Sequence, residues 1–270
     1  MAGGLLRAET GRAGHLFRFW AAVPLLAPVA LWQGLRTRRS APRLPPVLDD
    51  VATGTVGGEG PVERLLVVGE STAVGVGATR PEAALAPQLA KTLSARRGTT
   101  VRWQVVGQNG IRAAGLGAKL AARSDLLAAH WALVLLGAND VSGLTAVRRW
   151  THDLDAVVRR LQAAGATVLV APVPPFHLFH LLPQPLRWLL GERAGLLCSA
   201  RHTLAGRDGV HVLETEFPRE RRYLAADGYH PSDLAYYEWA DQIAEFIENL
   251  ALGDFPEKNS SPDPSGPADR

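Results

Sequence analysis

The sequence predicts an α/β domain built on a parallel sheet with helices on both faces, and three observations carry that expectation. Short runs rich in valine and leucine recur along the chain, each separated from the next by a stretch of helical periodicity. One of them, Trp131-Ala132-Leu133-Val134-Leu135-Leu136, is apolar without alternation, the pattern of a strand covered on both faces. The polar residues able to do chemistry follow directly after such runs, at the edge where an open α/β sheet binds its ligands. Strands that alternate with helices pair in parallel through right-handed crossovers.

With 270 residues, 47% of them apolar and 20% charged, the chain has the length and composition for a sizeable core. Its net charge of +3 is unevenly placed. Residues 1–43 carry seven arginines against Glu9 alone, a net of +6 that leaves −3 for the rest. The basic character therefore belongs to the N-terminal segment, and no nucleic-acid partner is expected. Cys198 is the single cysteine, which excludes an intrachain disulfide, and its apolar helical surroundings suit a packed thiol.

From Phe19 to Leu35 no residue is charged. That length is at the lower edge for a bilayer span, Trp20 and Trp32 sit near its ends, and Pro24 and Pro28 argue against a straight helix. No small-x-small cleavage site precedes Arg36. The expectation is a membrane-inserted or interfacial anchor within residues 1–43, meeting the membrane through residues 15–39, with a helix of the domain core and a cleaved leader of an exported form as the competing readings. The cluster Arg36, Arg38, Arg39 and Arg43 places the following domain on the cytoplasmic side. Residues 44–62, with Pro45, Pro46 and Thr53-Gly54-Thr55-Val56-Gly57-Gly58, have linker composition. The domain is expected over 63–252, and the Pro-, Ser- and Asp-rich residues 253–270 form a disordered tail.

Within the domain the first strand is Arg64-Leu65-Leu66-Val67-Val68, ending at Gly69-Glu70-Ser71. Residues 101–106 alternate and form the second, Trp131–Leu136 the third, and Thr167–Ala171 and Val210–Leu213 complete a set of five. Between them Pro81–Arg96, Thr145–Ala164 and Pro185–Leu204 have helical spacing, the last with a possible break at Gly191. Pro231–Leu250 is the final helix.

Four loops at the carboxyl ends of these strands hold the candidate chemistry. Ser71 follows the first strand, Gln108-Asn109-Gly110-Ile111-Arg112-Ala113 the second, and Gly137-Ala138-Asn139-Asp140 the third. Asp227-Gly228-Tyr229-His230 follows the fifth. A serine hydroxyl needs a base, and His230 has a suitable ordinary pKa of about 6.5. Asp227, three residues earlier, can accept from the other ring nitrogen and fix the tautomer. The oxyanion needs donors: the Asn139 side chain, the Ser71 N–H and an N–H from the loop Gly110–Ala113 are the candidates. Asp140 is expected to bond loop backbone.

This set, in this order, resembles the SGNH (GDSL-type) hydrolases, whose blocks are Gly-Asp-Ser, a glycine loop, Gly-x-Asn-Asp and Asp-x-x-His. Gly137–Asp140 and Asp227–His230 match completely, and the likeness runs from about Leu65 to Leu250. It implies a flavodoxin-like three-layer α/β/α sandwich with a five-stranded parallel sheet. It also implies ester hydrolysis through Ser71, with Asn139 in the oxyanion hole and no cofactor. Two departures stand out. Glu70 replaces the usual aspartate, and the glycine of the second block aligns with either Gly110 or Ala113.

Competing functions are a non-catalytic or ligand-binding α/β module and a carbohydrate acetylesterase or thioesterase. A phosphate loop is excluded because Gly69–Gly77 lacks the Gly-Lys-Ser/Thr ending, and the glycine spacing fails the dinucleotide fingerprint. An α/β-hydrolase elbow needs glycine where Ala73 stands. His177 and His180 have no nearby carboxylate or cysteine to complete a metal site. The apolar stretch Pro172–Leu190 is either core filling or an acyl-binding wall or lid, and a lipid-derived acyl ester is one candidate substrate.

Overall fold

The computed structural model describes residues 23–40, 42–126 and 128–252. The start of the N-terminal apolar run and the tail 253–270 lie outside the described residues. Helix α1 covers residues 23–40. Strands β1 (Val51–Val56), β2 (Val62–Gly69), β3 (Thr100–Gly107), β4 (Trp131–Leu135), β5 (Thr167–Val170) and β6 (Val210–Val212) form one sheet in the order β1-β3-β2-β4-β5-β6.

The five expected strands are present and parallel to one another; the sixth, β1, pairs antiparallel with β3, from Val51 opposite Val106 to Val56 opposite Val101. The sheet is thus six-stranded rather than five-stranded, and part of the stretch expected as a linker is an edge strand. The residues around Gly54 read locally as a turn. Their pairing partner is far along the chain, and Gly54 itself lies under the Trp103 ring, where a Cβ would come within 2.4 Å. No local signal announces such a contact.

Alternation along β2 divides the core in two. Leu65 and Val67 pack on one face against α2 (Leu85–Arg97) and α7 (Asp233–Leu252). Leu66 and Val68 pack on the other against α3 (Ala113–Ala121), α5 (Val147–Ala163) and α6 (Leu186–Arg201). All four β2 side chains are buried, which accounts for a strand that reads as a continuous apolar run. A short helix, α4 (Ala138–Ser142), follows β4.

The helix ends depart modestly from expectation. Pro81–Ala83 is a 3-10 turn ahead of α2, α6 runs unbroken through Gly191, and α3 and α4 are additions. Both additions are short and rich in small residues, so neither shows an apolar stripe of the usual width. Cys198 is partly exposed and packed against the core.

Helix α1 docks on the domain. Ala30 and Gln33 are buried, the Gln33 Nε2 donates to the Gln184 carbonyl at 2.6 Å, and its Oε1 accepts from the Leu186 N–H at 3.1 Å. Among the described residues no helix is long and apolar enough to cross a membrane.

Candidate active site

Strand β2 has β3 on one side and β4 on the other, with the connections leaving in opposite directions. Its carboxyl end is therefore the switch point at which such sheets open a crevice, and Ser71 lies there. A tight turn follows: the Glu70 carbonyl accepts from the Ala73 N–H at 2.9 Å and the Ser71 carbonyl from the Val76 N–H at 3.0 Å. The turn continues to Gly77, whose φ is +98°; a Cβ there would come within 2.4 Å of the Pro231 carbonyl and 2.8 Å of the His230 Cβ. The serine loop and the histidine loop touch at this glycine.

The Asp227–His230 loop is closed by its own backbone. The Ala225 N–H donates to the His230 carbonyl at 2.8 Å, and Leu224 bridges Pro231. Within it the buried Asp227 Oδ2 lies 2.6 Å from His230 Nδ1, and its Oδ1 accepts the N–H groups of Tyr229 and His230 at 3.0 and 3.1 Å. A carboxylate can only accept, so Nδ1 carries the proton and Nε2 is left as the acceptor. Burial pushes the Asp227 carboxyl up, but the hydrogen bonds and the adjoining imidazole outweigh it and hold the group below its ordinary value. Burial pushes the neighbouring Tyr229 hydroxyl up to about 12, with help from the Asp227 charge.

Glu70 has a clear structural task. Its buried carboxylate accepts the Ala138 N–H at 2.8 Å, the Asn139 N–H at 2.9 Å and the Asn139 Nδ2 at 2.5 Å. The two backbone donors belong to the first turn of α4, where helix geometry leaves amides unpaired. Glu70 thus caps α4 and grips the asparagine through both its backbone and its side chain. Desolvation pushes Glu70 up to about 7, against these donors, which favour the ionised form. The second proton of the Asn139 amide goes to the Ile111 carbonyl at 3.1 Å.

The loop after β3 differs from expectation. The Ala113 N–H is taken by Asp140 Oδ2 at 3.0 Å, so Ala113 is not a free donor; Asp140 caps α3 and bonds loop backbone as its position suggested. Burial raises the Asp140 carboxyl above its ordinary value, opposed by that hydrogen bond. Gly110 is exposed and lies off the cavity described next, whereas its predecessor Asn109 lines it. Among the described residues the N–H groups of Ser71 and Asn109 have no acceptor. A glycine is the conspicuous residue of such a turn in sequence, whereas which amide of the turn meets the cavity depends on the orientation of the folded loop.

Ser71, Asn139 and His230 line a single cavity of about 270 Å³. No hydrogen bond joins Ser71 Oγ to His230 among the described residues, although both line the cavity. One wall is Pro174, Pro175, Phe176, Leu178 and Phe179, from the apolar stretch singled out in the sequence. Burial and the nearby Arg219 charge hold His177, in the same stretch, below the ordinary imidazole value. Phe217, Tyr223 and Trp239 also line the cavity and carry no sequence signal, because a wall assembled from a loop, the 3-10 turn Arg221–Tyr223 and α7 has no periodicity.

A family model described as GDSL-like Lipase/Acylhydrolase matches residues 67–237. The GDSL-like esterase Rv1075c of Mycobacterium tuberculosis is 30% identical over 217 residues, which cover 74% of this chain and 68% of that protein. Among solved structures, the chain resembles the lipase Lip_vut3 from a goat rumen metagenome with a TM-score of 0.58. That match has 16% identity and covers 68% of this chain and 96% of that one. The psychrotrophic esterase EstA from Pseudoalteromonas sp. gives a TM-score of 0.54 at 19% identity, covering 70% and 99% of the two chains.

Proposed function

Because the chain belongs to the GDSL-like lipase/acylhydrolase family and is an ester hydrolase, we propose that it works through an acyl-enzyme on Ser71. His230 Nε2 takes the hydroxyl proton while Oγ attacks the ester carbonyl. The tetrahedral intermediate collapses, the carbon–oxygen bond to the alcohol breaks, and His230 gives the proton to the departing oxygen. Water then attacks the acyl-enzyme with His230 again as base, and the acid leaves. Asp227 keeps the imidazole in the required tautomer and stabilises the imidazolium.

The observation that supports this reading above the others is the common cavity of Ser71, Asn139 and His230, with Asp227 2.6 Å behind the imidazole. The Ser71 N–H, the Asn139 side chain and the Asn109 N–H donate to the oxyanion. Asn139 keeps one amide proton on Glu70 and turns the other from the Ile111 carbonyl to the oxyanion. The acyl group lies along the Pro174–Phe179 wall.

The test uses a fluorophosphonate probe and p-nitrophenyl esters from acetate to palmitate. The probe is expected on the Ser71 peptide. Ser71→Ala and His230→Ala should each lower kcat/KM by at least about 10⁴-fold with unchanged circular dichroism. Along the series kcat/KM should rise roughly four-fold per methylene until the wall is filled. Undiminished hydrolysis by Ser71→Ala would overturn the mechanism.

A further inference from the structure

Helix α1 meets the domain through one face and leaves the other bare. On the bare face Leu25, Val29, Leu31, Trp32 and Leu35 are exposed, Leu25 by 80% and Trp32 by 59%. Leu25, Val29 and Trp32 follow the i, i+4, i+7 spacing of one stripe and Leu35 and Leu31 continue it round the helix, so together they occupy about half of its circumference, centred away from the buried Ala30 and Gln33. Soluble monomers rarely present a contiguous apolar surface of this kind. At its end stand Arg36, Arg38 and Arg39, exposed and without an acidic partner among the described residues. Arg36 lies over the Trp32 ring, 5.5 Å from its centroid. No acidic residue occurs between 23 and 40.

We propose that this face of α1 docks on the surface of an anionic phospholipid bilayer. The leucines, Val29 and Trp32 sink into the boundary between headgroups and acyl chains, and the three arginines pair with anionic headgroups. Charge decides for this occupant: pairing α1 with α1 of a second copy would cover the apolar face but bring no acid to the arginines. The Gln33 hydrogen bonds fix the angle at which the domain is held, because they join α1 to the segment leading from the cavity wall into α6. The helix lies on the bilayer rather than across it. This inference is independent of the acyl-enzyme reading, since its readout is partitioning and not hydrolysis.

The test is sedimentation of the full chain with vesicles of phosphatidylcholine alone and of equimolar phosphatidylcholine and phosphatidylglycerol. The chain should sediment with the mixed vesicles and far less with the neutral ones. Val29→Glu combined with Trp32→Glu should weaken partitioning by more than about ten-fold. Neutralising Arg36, Arg38 and Arg39 to Gln should weaken binding to mixed vesicles by on the order of 10²-fold and erase the difference between the two vesicle types. Both variants alter only exposed side chains, so their thermal melting should match that of the unsubstituted chain. Absence of vesicle binding by the unsubstituted chain would overturn the proposal. So would variants that bind undiminished, which would assign binding to residues 1–22. Sedimentation equilibrium gives the third overturning result: an unsubstituted dimer converted to monomer by Val29→Glu and Trp32→Glu would assign the face to a second copy.

Discussion

Glu70 stands where the family usually has aspartate, and its three hydrogen bonds give it two tasks: capping α4 and holding the Asn139 amide. Glu70→Gln keeps the size but brings an NH2 toward a set of donors, so one donor loses its acceptor. Losing a whole oxyanion donor costs about 10²–10³ in turnover; loosening Asn139 should cost about ten-fold in kcat with little change in KM. The substitution also has a stability signature. The folded carboxyl titrates at about 7, against an ordinary glutamate value of 4.5. The folded state therefore holds the proton more tightly, and this contribution to stability is present below 4.5 and lost as pH rises through 7. The expected loss is on the order of 3 kcal/mol. Urea unfolding at pH 5 and pH 8 should show that drop in the unsubstituted chain and a much smaller one in Glu70→Gln; equal drops would mean the carboxylate is not buried as described. Asp227 has the opposite sign: its lowered value gives stability that disappears on acidification, outside this window.

At the scale of elements, the site depends on loops that interlock, and Gly77 is where they meet. An alanine there must adopt φ +98° and drive its Cβ against the Pro231 carbonyl and His230. Backbone strain of this kind costs about 1–3 kcal/mol. Gly77→Ala should lower the melting temperature and, by shifting His230, slow hydrolysis by about 10²-fold, because misplacing a base by about 1 Å has that effect. An assay that finds melting lowered but kcat/KM intact would show that the strain relaxes away from the histidine. This dependence also marks what the sequence could reveal. The central strands β2 and β4 were legible because burial on both faces leaves an uninterrupted apolar run, β3 because its apolar residues alternate, and Ser71, Asn139, Asp227 and His230 because each follows a strand. Strand β1 was hidden because its partner is distant, and Asn109 because Gly110 is the conspicuous member of its turn. The role of Glu70 is not legible in sequence, since its acceptor contacts exist only once α4 is folded against it.

At the scale of the whole molecule, the question is where the folded body begins. Composition placed a boundary after residue 43 and a linker up to 62. The packing places α1 and β1 on the body itself: Ala30 is buried in one core layer, Val23 and Leu26 pack against it, and Leu48 is buried in the other. Gln33 satisfies the Leu186 N–H and the Gln184 carbonyl together. A chain that starts at residue 44 would expose the apolar patch under α1 and leave both backbone groups to water. Two hydrogen bonds at about 1 kcal/mol each, with the apolar area of two or three side chains, amount to on the order of 3 kcal/mol. For a domain of this size that is a fall of roughly 6–12 °C in Tm. Gln33→Ala in the full chain should reproduce about two-thirds of the fall, because it removes the hydrogen bonds and keeps the apolar contact. Differential scanning calorimetry of the three proteins decides between the two boundaries. If the chain from 44 melts with the full chain, α1 is an appendage; if it melts lower with Gln33→Ala between them, α1 belongs to the catalytic body. In the latter case the arginine-tipped apolar face is carried rigidly by that body.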